Sequence, residues 1–378
     1  MTNKEMFYFT GKCLMLDEVP ENKKQVVKLI ESDSIDWLKL AAHWSNHLVL
    51  PAIFLKFQSH AVLKYLPEEF SQYLKDIYEL NLERNRKILI QLEDITRILN
   101  KNNIYPVFLK GSAHLLDGLY SDVGERILGD IDFLVPDKDY LESAKIFEAE
   151  GYSMPTPFLY FDVATLKHYP PLAKPGFPAY IELHRLLTED ELNWFNSGTI
   201  DKQKKEIKTL KGCYVLSDKH KIVHNFVHGQ LHHGGHMNGI VSMRDLYDLF
   251  LLSKRSDLQQ TLPLIKCKQK AIAYFALTRK ALGLQESFFS QHNFSSWLLF
   301  KKHDLNLRSS LFYHTFRGFV FISQRIWNGY IGSFVKSFYS KSTRQSIINR
   351  LSDRNYYHSH LRSYVDFFSR KKNVTIEK

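Results

Sequence analysis

The chain has 378 residues, 44% hydrophobic and 24% charged, a balance that excludes wholesale disorder and allows a sizeable core with more than one domain. No uninterrupted apolar run reaches about 18 residues and the start carries no continuous apolar segment, so neither a spanning helix nor a secretory leader is expected. The formal charge of +11 favours polyanionic partners, RNA among them, without requiring one.

Cys13, Cys213 and Cys267 lie far apart with no C-x-x-C pair. Dispersed thiols of this kind fit a reduced, cytoplasmic protein. From Asn22 to Asn100 the apolar residues recur at spacings of three and four. Leu82, Leu89, Leu92, Ile95 and Leu99 form one stripe of an amphipathic helix. Trp37, Leu40 and Trp44 mark another, and Pro67 before two glutamates reads as a helix first turn. Residues 1–100 therefore read as an N-terminal helical segment that supports the central part of the chain.

Ile104 to Leu109 reads as a buried strand running into Lys110-Gly111-Ser112. Glycine admits close backbone approach, and Ser112 is placed to cap a helix beginning at Ala113. The N–H groups of such a helix start suit a phosphate chain. Arg126 follows in a loop, with two readings open: a clamp on a triphosphate, or a surface arginine balancing nearby acids. Asp130 to Val135 is a second strand, G-D-I-D-F-L-V with its leading glycine. Asp130 and Asp132, two positions apart, share one strand face, and two such carboxylates repel unless a cation lies between them.

Asp137 and Asp139 open a helix that stops at Gly151, and Phe158 to Val163 reads as a strand. A proline-rich loop leads to Ala179–Leu186, a strand in which Glu182 and His184 share a face. Three carboxylates from two strands can hold two divalent ions for in-line phosphoryl chemistry.

The order L-K-G-S before a helix, arginine ahead of G-D-I-D-x-L-V, then I-E-L-H resembles the polymerase-beta-like nucleotidyltransferase superfamily. Within it, Leu109-Lys110-Gly111, Arg126, Gly129–Val135 and Ile181–His184 resemble most the bacterial uncharacterised nucleotidyltransferase family. Asp130 follows Ser112 by eighteen positions, a longer spacing than in minimal members of the superfamily. The resemblance implies an α+β fold: a small mixed-sheet core at 101–190 between helical segments 1–100 and 191–378. It implies Mg²⁺-dependent transfer of NMP from an NTP, ATP being the expected donor, to an acceptor hydroxyl, with two Mg²⁺ ions expected and Mn²⁺ as a substitute. It places metal ligation and catalysis on Asp130, Asp132 and Glu182, and substrate contact on Gly111 and Ser112, assisted by Lys110, Arg126 or His228. Two alternatives stand beside it: a non-catalytic nucleotide- or RNA-binding protein with this fold, and a toxin or defence factor that modifies tRNA. The acceptor and the oligomeric state are not readable.

Residues 191–212 are lysine-rich and read as a connector or exposed helix. A helix from Ser217 or Asp218 then carries His224, His228 and His232, each four apart, with His233 and His236 close behind. This cluster is read as a wall of the nucleotide cleft, as plain packing, or as a zinc site. Asp245 is placed to orient a histidine, and Arg244 to pair with Asp248 along a helix. From Leu311 to Phe368 aromatic and basic residues interleave at helical spacing, which favours packing over RNA or membrane contact.

Overall fold

A computed structural model of the chain describes residues 1–155, 163–188, 192–324, 327, 331–338 and 344–345. Five helices precede the sheet: α1 (Asn3–Leu14), α2 (Pro20–Ile30), α3 (Trp37–Asn46), α4 (Leu50–Ser59) and α5 (Glu68–Asn100). Local chemistry sets their starts. Thr2 and Glu5 close a capping box on α1, Asp36 caps α3, and Glu68 and Glu69 sit in the first turn of α5, where the helix dipole favours them. The stripe read over 82–99 is the second half of the 33-residue α5. Of that stripe Leu92, Ile95 and Leu99 are buried and Leu82 and Leu89 half-buried, and Ile88, outside it, is buried with them against the sheet.

The sheet has five strands in the order β3-β2-β1-β5-β4. β1 (Val107–Phe108) pairs antiparallel with β2 (Ile131–Leu134) and parallel with β5 (Tyr214–Leu216). β2 pairs parallel with β3 (Ile181–His184), and β4 (Lys204–Glu206) pairs antiparallel with β5. β1 is shorter than the expected 104–109, because Pro106 has no N–H to give the ladder and offers only its carbonyl, to Tyr214 N at 3.0 Å. The segment 191–212 is corrected too. It holds α8 (Ser197–Asp201) and the edge strand β4, where lysines on an exposed edge discourage further pairing. Of the strand expected over Phe158–Val163, residues 158–162 lie outside the described residues.

Between β1 and β2 lies α6 (Lys110–Leu116), and α7 (Tyr140–Ala149) follows β2. After β5 come α9 (Asp218–Phe226), a π-helical turn Val227–His232, α10 (Gly235–Asn238), α11 (Met243–Ser253), α12 (Leu258–Thr261), α13 (Lys268–Leu282), α14 (Phe294–Arg308), α15 (Ser310–Gln324) and α16 (Gly332–Ser337). The fold is thus α+β, as the resemblance implies.

Two apolar clusters flank the sheet. One face, with Phe108, Ile131, Phe133, Ile181 and Leu183, packs on α5 and α7. The other face meets a large cluster that joins α1–α4 to α9, α11, α13 and α14. Helices from both ends of the chain therefore share a core; Phe7 of α1 lies 4.6 Å from the His303 ring of α14. Among the described residues of the aromatic stretch after Leu311, packing is incomplete. Phe319, Trp327, Phe334 and Phe338 are exposed, Phe312 stacks on Phe316 at 5.4 Å, and residues 325–326, 328–330, 339–343 and 346–368 of that expectation lie outside the described residues. No described helix is long and apolar enough to cross a membrane.

Candidate active site

Alternation along β2 and β3 builds the site. Ile131 and Phe133, then Ile181 and Leu183, face the α5 side, which turns Asp132 and the pair Glu182 and His184 to the opposite face. The parallel register sets Asp132 beside Glu182 and Leu134 beside His184. Asp130 stands just ahead of β2. The sequence-expected three carboxylates are therefore gathered at one end of two adjacent strands.

Their charges are unequal to their partners. Lys110 Nζ donates to Asp132 Oδ1 at 2.6 Å, and His184 Nε2 lies 3.0 Å from the same oxygen and 3.6 Å from Glu182 Oε2. Burial opposes ionisation of Asp132, yet Lys110 and His184 hold its carboxyl well below the usual range. Burial likewise opposes ionisation of Glu182, which His184 nonetheless holds low. At Asp130 the compensation from Lys110 and Arg244 is outweighed. Burial, then Asp132, then Glu182 push its pKa up to about 6. A divalent cation relieves that repulsion. Asp132, Glu182 and His184 each offer one ligand atom, all within 4.8 Å of one another, so the donor set fits a metal ion.

The turn that carries Lys110 differs from the expected one. The helix begins at Lys110, not Ala113, its N-cap is Leu109, and Ser112 lies buried inside it with Oγ unbonded. The chain reverses because Lys110 takes φ 49, a left-handed conformation that non-glycine residues adopt at a cost of about 1 kcal/mol or more. That torsion aims Lys110 at Asp132. Gly111 serves a neighbour: a Cβ there would meet Arg126 Nη1 at 2.2 Å.

Arg126 is neither a free clamp nor a surface residue. It is 7% exposed, and its Nε and Nη2 donate to Asp248 Oδ1 and Oδ2 of α11 at 2.9 and 2.8 Å. Tyr120 Oη donates to the same Oδ1 at 2.5 Å. The expected Arg244–Asp248 pair is corrected accordingly, since Asp248 is engaged by Arg126. Arg244 instead has Nε 3.6 Å from Asp245 and donates through Nη1 to Ile127 O at 3.3 Å.

Sequence reasoning missed the contribution of α5. Asn81, Arg84 and Asn85 donate to carbonyls of Val123, Gly124, Arg126, Leu128 and Gly129, fixing the loop that delivers Asp130. A signal was present: asparagine disfavours helix interiors, so two of them a turn apart in a long helix call for tertiary partners.

The histidine helix does face this site. Burial, then Lys110, draws the His224 pKa down to about 3, and His228 is held well below its ordinary value by burial and then by Lys110. The π turn extends the expected grouping. His224, His228 and His232 stay ring neighbours at 6.1 and 6.2 Å, and the i→i+5 spacing adds His233, Nε2 to Nε2 of His228 at 3.0 Å. Asp245 lies beside Gly229, with Oδ2 3.6 Å from where a Cβ would sit.

The family model described as uncharacterised nucleotidyltransferase matches residues 33–283, about two thirds of the chain. No curated protein matches it.

Proposed function

This chain belongs to the uncharacterised nucleotidyltransferase family, and from that premise we propose that it transfers the NMP of an NTP, with ATP the expected donor, to an acceptor hydroxyl in a Mg²⁺-dependent reaction. The observation that carries the reading is the register of Asp132 beside Glu182, with Asp130 at the strand entry. Asp130, Asp132 and Glu182 would hold the divalent ion or ions, Mg²⁺ or its substitute Mn²⁺. A bound ion supplies charge neutralisation on the donor phosphates and the departing pyrophosphate.

In this reading Lys110 contacts the donor phosphates when it leaves Asp132. Gly111, Ser112 and Arg126 act through the turn, by seating Lys110 and α6. His228 lines the opposite wall. The acceptor oxygen forms a bond to the α-phosphorus while the bond to the bridging oxygen breaks, and pyrophosphate leaves with that electron pair. The acceptor proton passes to a Glu182 carboxylate oxygen, which is kept ionised beside His184. Residues 101–190 carry the proposed metal ligands and the Lys110 turn, and β4 and β5 complete their sheet from the segment that follows. Three free cysteines, two of them buried, support a cytoplasmic setting.

The test offers the protein α-labelled NTPs and Mg²⁺ with total RNA, protein extract or small metabolites, RNA first because of the +11 charge. Label is expected in one pool and absent with Asp132→Ala. Metal-independent NTP binding without any labelled pool would support the non-catalytic binder instead.

A further inference from the structure

We infer that Nε2 of His184 is itself a metal ligand, making a mixed nitrogen–oxygen site with Asp132 and Glu182 that prefers Mn²⁺ to Mg²⁺. The inference rests on the reading above that these strands hold a divalent ion.

Four observations carry it. First, Nε2 lies 3.0 Å from Asp132 Oδ1 and 3.6 Å from Glu182 Oε2. The shorter separation matches the roughly 3 Å edge of an octahedral ligand set with bonds near 2.1 Å. Second, His184 is 2% exposed and lies on a paired strand, with the His168 ring 5.1 Å away, so the imidazole is held in place. Third, Nε2 and not Nδ1 is the ring atom that meets the two carboxylates; Nδ1, which carries the ring proton when Nε2 binds a metal, is buried without a hydrogen-bond partner, at a cost to affinity. Fourth, strand alternation makes His184 the same-face neighbour of Glu182, as Asp130 is of Asp132. The two strands thus contribute three carboxylates and one imidazole.

That composition has a chemical consequence. Mg²⁺ takes oxygen ligands and keeps much of its water, whereas imidazole suits the transition series. Mn²⁺ accepts both donor types, so one nitrogen among the carboxylates tilts the choice toward it. The rival role for His184 is outer-sphere, holding Asp132 in place without touching the metal.

Pulsed electron paramagnetic resonance of Mn²⁺ bound to the full chain separates the two. The wild type is expected to show modulation from a directly bonded imidazole nitrogen, altered when histidine is supplied as the ¹⁵N form. It is also expected to bind Mn²⁺ at least about tenfold more tightly than Mg²⁺ by competition titration. His184→Asn replaces the nitrogen with an amide group that can still donate to Asp132. It should abolish the nitrogen signal and weaken Mn²⁺ by about tenfold or more, with a smaller change for Mg²⁺. Wild-type Mn²⁺ without nitrogen coupling, and unaltered binding in His184→Asn, would overturn the inference and leave nucleotidyl transfer standing. Absence of Mn²⁺ binding by the wild type, with and without NTP, would remove the premise as well. The wild-type spectrum decides the point even if the variant folds poorly.

Discussion

Two charge clusters, one buried and one half-buried, lie at α6, and they are built on opposite terms. Around Arg126 the charges close: one guanidinium meets one carboxylate, Asp248, through two parallel hydrogen bonds, with Tyr120 adding a third. Around Lys110 they do not close: Asp130, Asp132 and Glu182 surround one ammonium. The Arg126 pair is the more buried of the two, and around Lys110 only Asp132 is fully buried while Lys110, Asp130 and Glu182 are half-buried. What distinguishes a structural charge pair from a reactive one is the remainder after pairing, and here the remainder is negative and gathered at strand ends. The first cluster positions; the second calls for a cation.

Substitutions at the two centres should therefore separate function from stability. Asp132→Asn is expected to lower nucleotidyl transfer by about a thousandfold or more, since it removes the carboxylate common to Lys110 and the proposed metal. Its thermal midpoint should move less than that of Asp248→Ala, because one anion fewer relieves repulsion at Asp130. Asp248→Ala leaves the Arg126 charge buried and uncompensated, a change that costs about 3–5 kcal/mol and is read in a denaturant titration. A variant that keeps its stability but loses NTP binding would move Arg126 into the reactive cluster.

Acid should strike the helical body. Burial lowers the His303 pKa to about 4 and that of His47 to about 3. Both lie below the ordinary 6.5, so these neutral rings contribute stability above that pH and lose it as pH falls through the lower values. Protection factors at α1 and α14, that is exchange corrected for the intrinsic pH dependence of amides, should fall between about pH 6 and pH 4. Constant protection across that window would mean that the rings titrate normally. The smallest expected effect is Gly111→Ala. The new Cβ would press on Arg126 and cost about 1–3 kcal/mol, with the Arg126–Asp248 pair as the element displaced. An unchanged midpoint would show that the guanidinium has room to yield.

The reactive cluster was the more legible of the two in the sequence. D-x-D and E-x-H each lie on a short apolar strand, and a period of two fixes their faces without tertiary knowledge. The Arg126 pair was not legible, because its members are 122 positions apart and each looked like a local partner to something nearer. Local rules also failed at two turns. Lys110 takes a left-handed torsion that its residue type does not advertise, and a π turn adds His233 to the histidines spaced by four. In both places tertiary packing overrides the local preference, and both lie against the carboxylates. The shared core of α1 and α14 has the same cause: nothing in either segment, read in order, names the other as its partner.

The most direct measurement is calorimetric NTP binding by the wild type and by Asp132→Asn, each with Mg²⁺, with Mn²⁺ and with chelator. Binding that requires a divalent ion in the wild type and is lost in a folded Asp132→Asn is the predicted result. Equal binding of NTP by both proteins in chelator would contradict a metal-dependent transfer site at these strands.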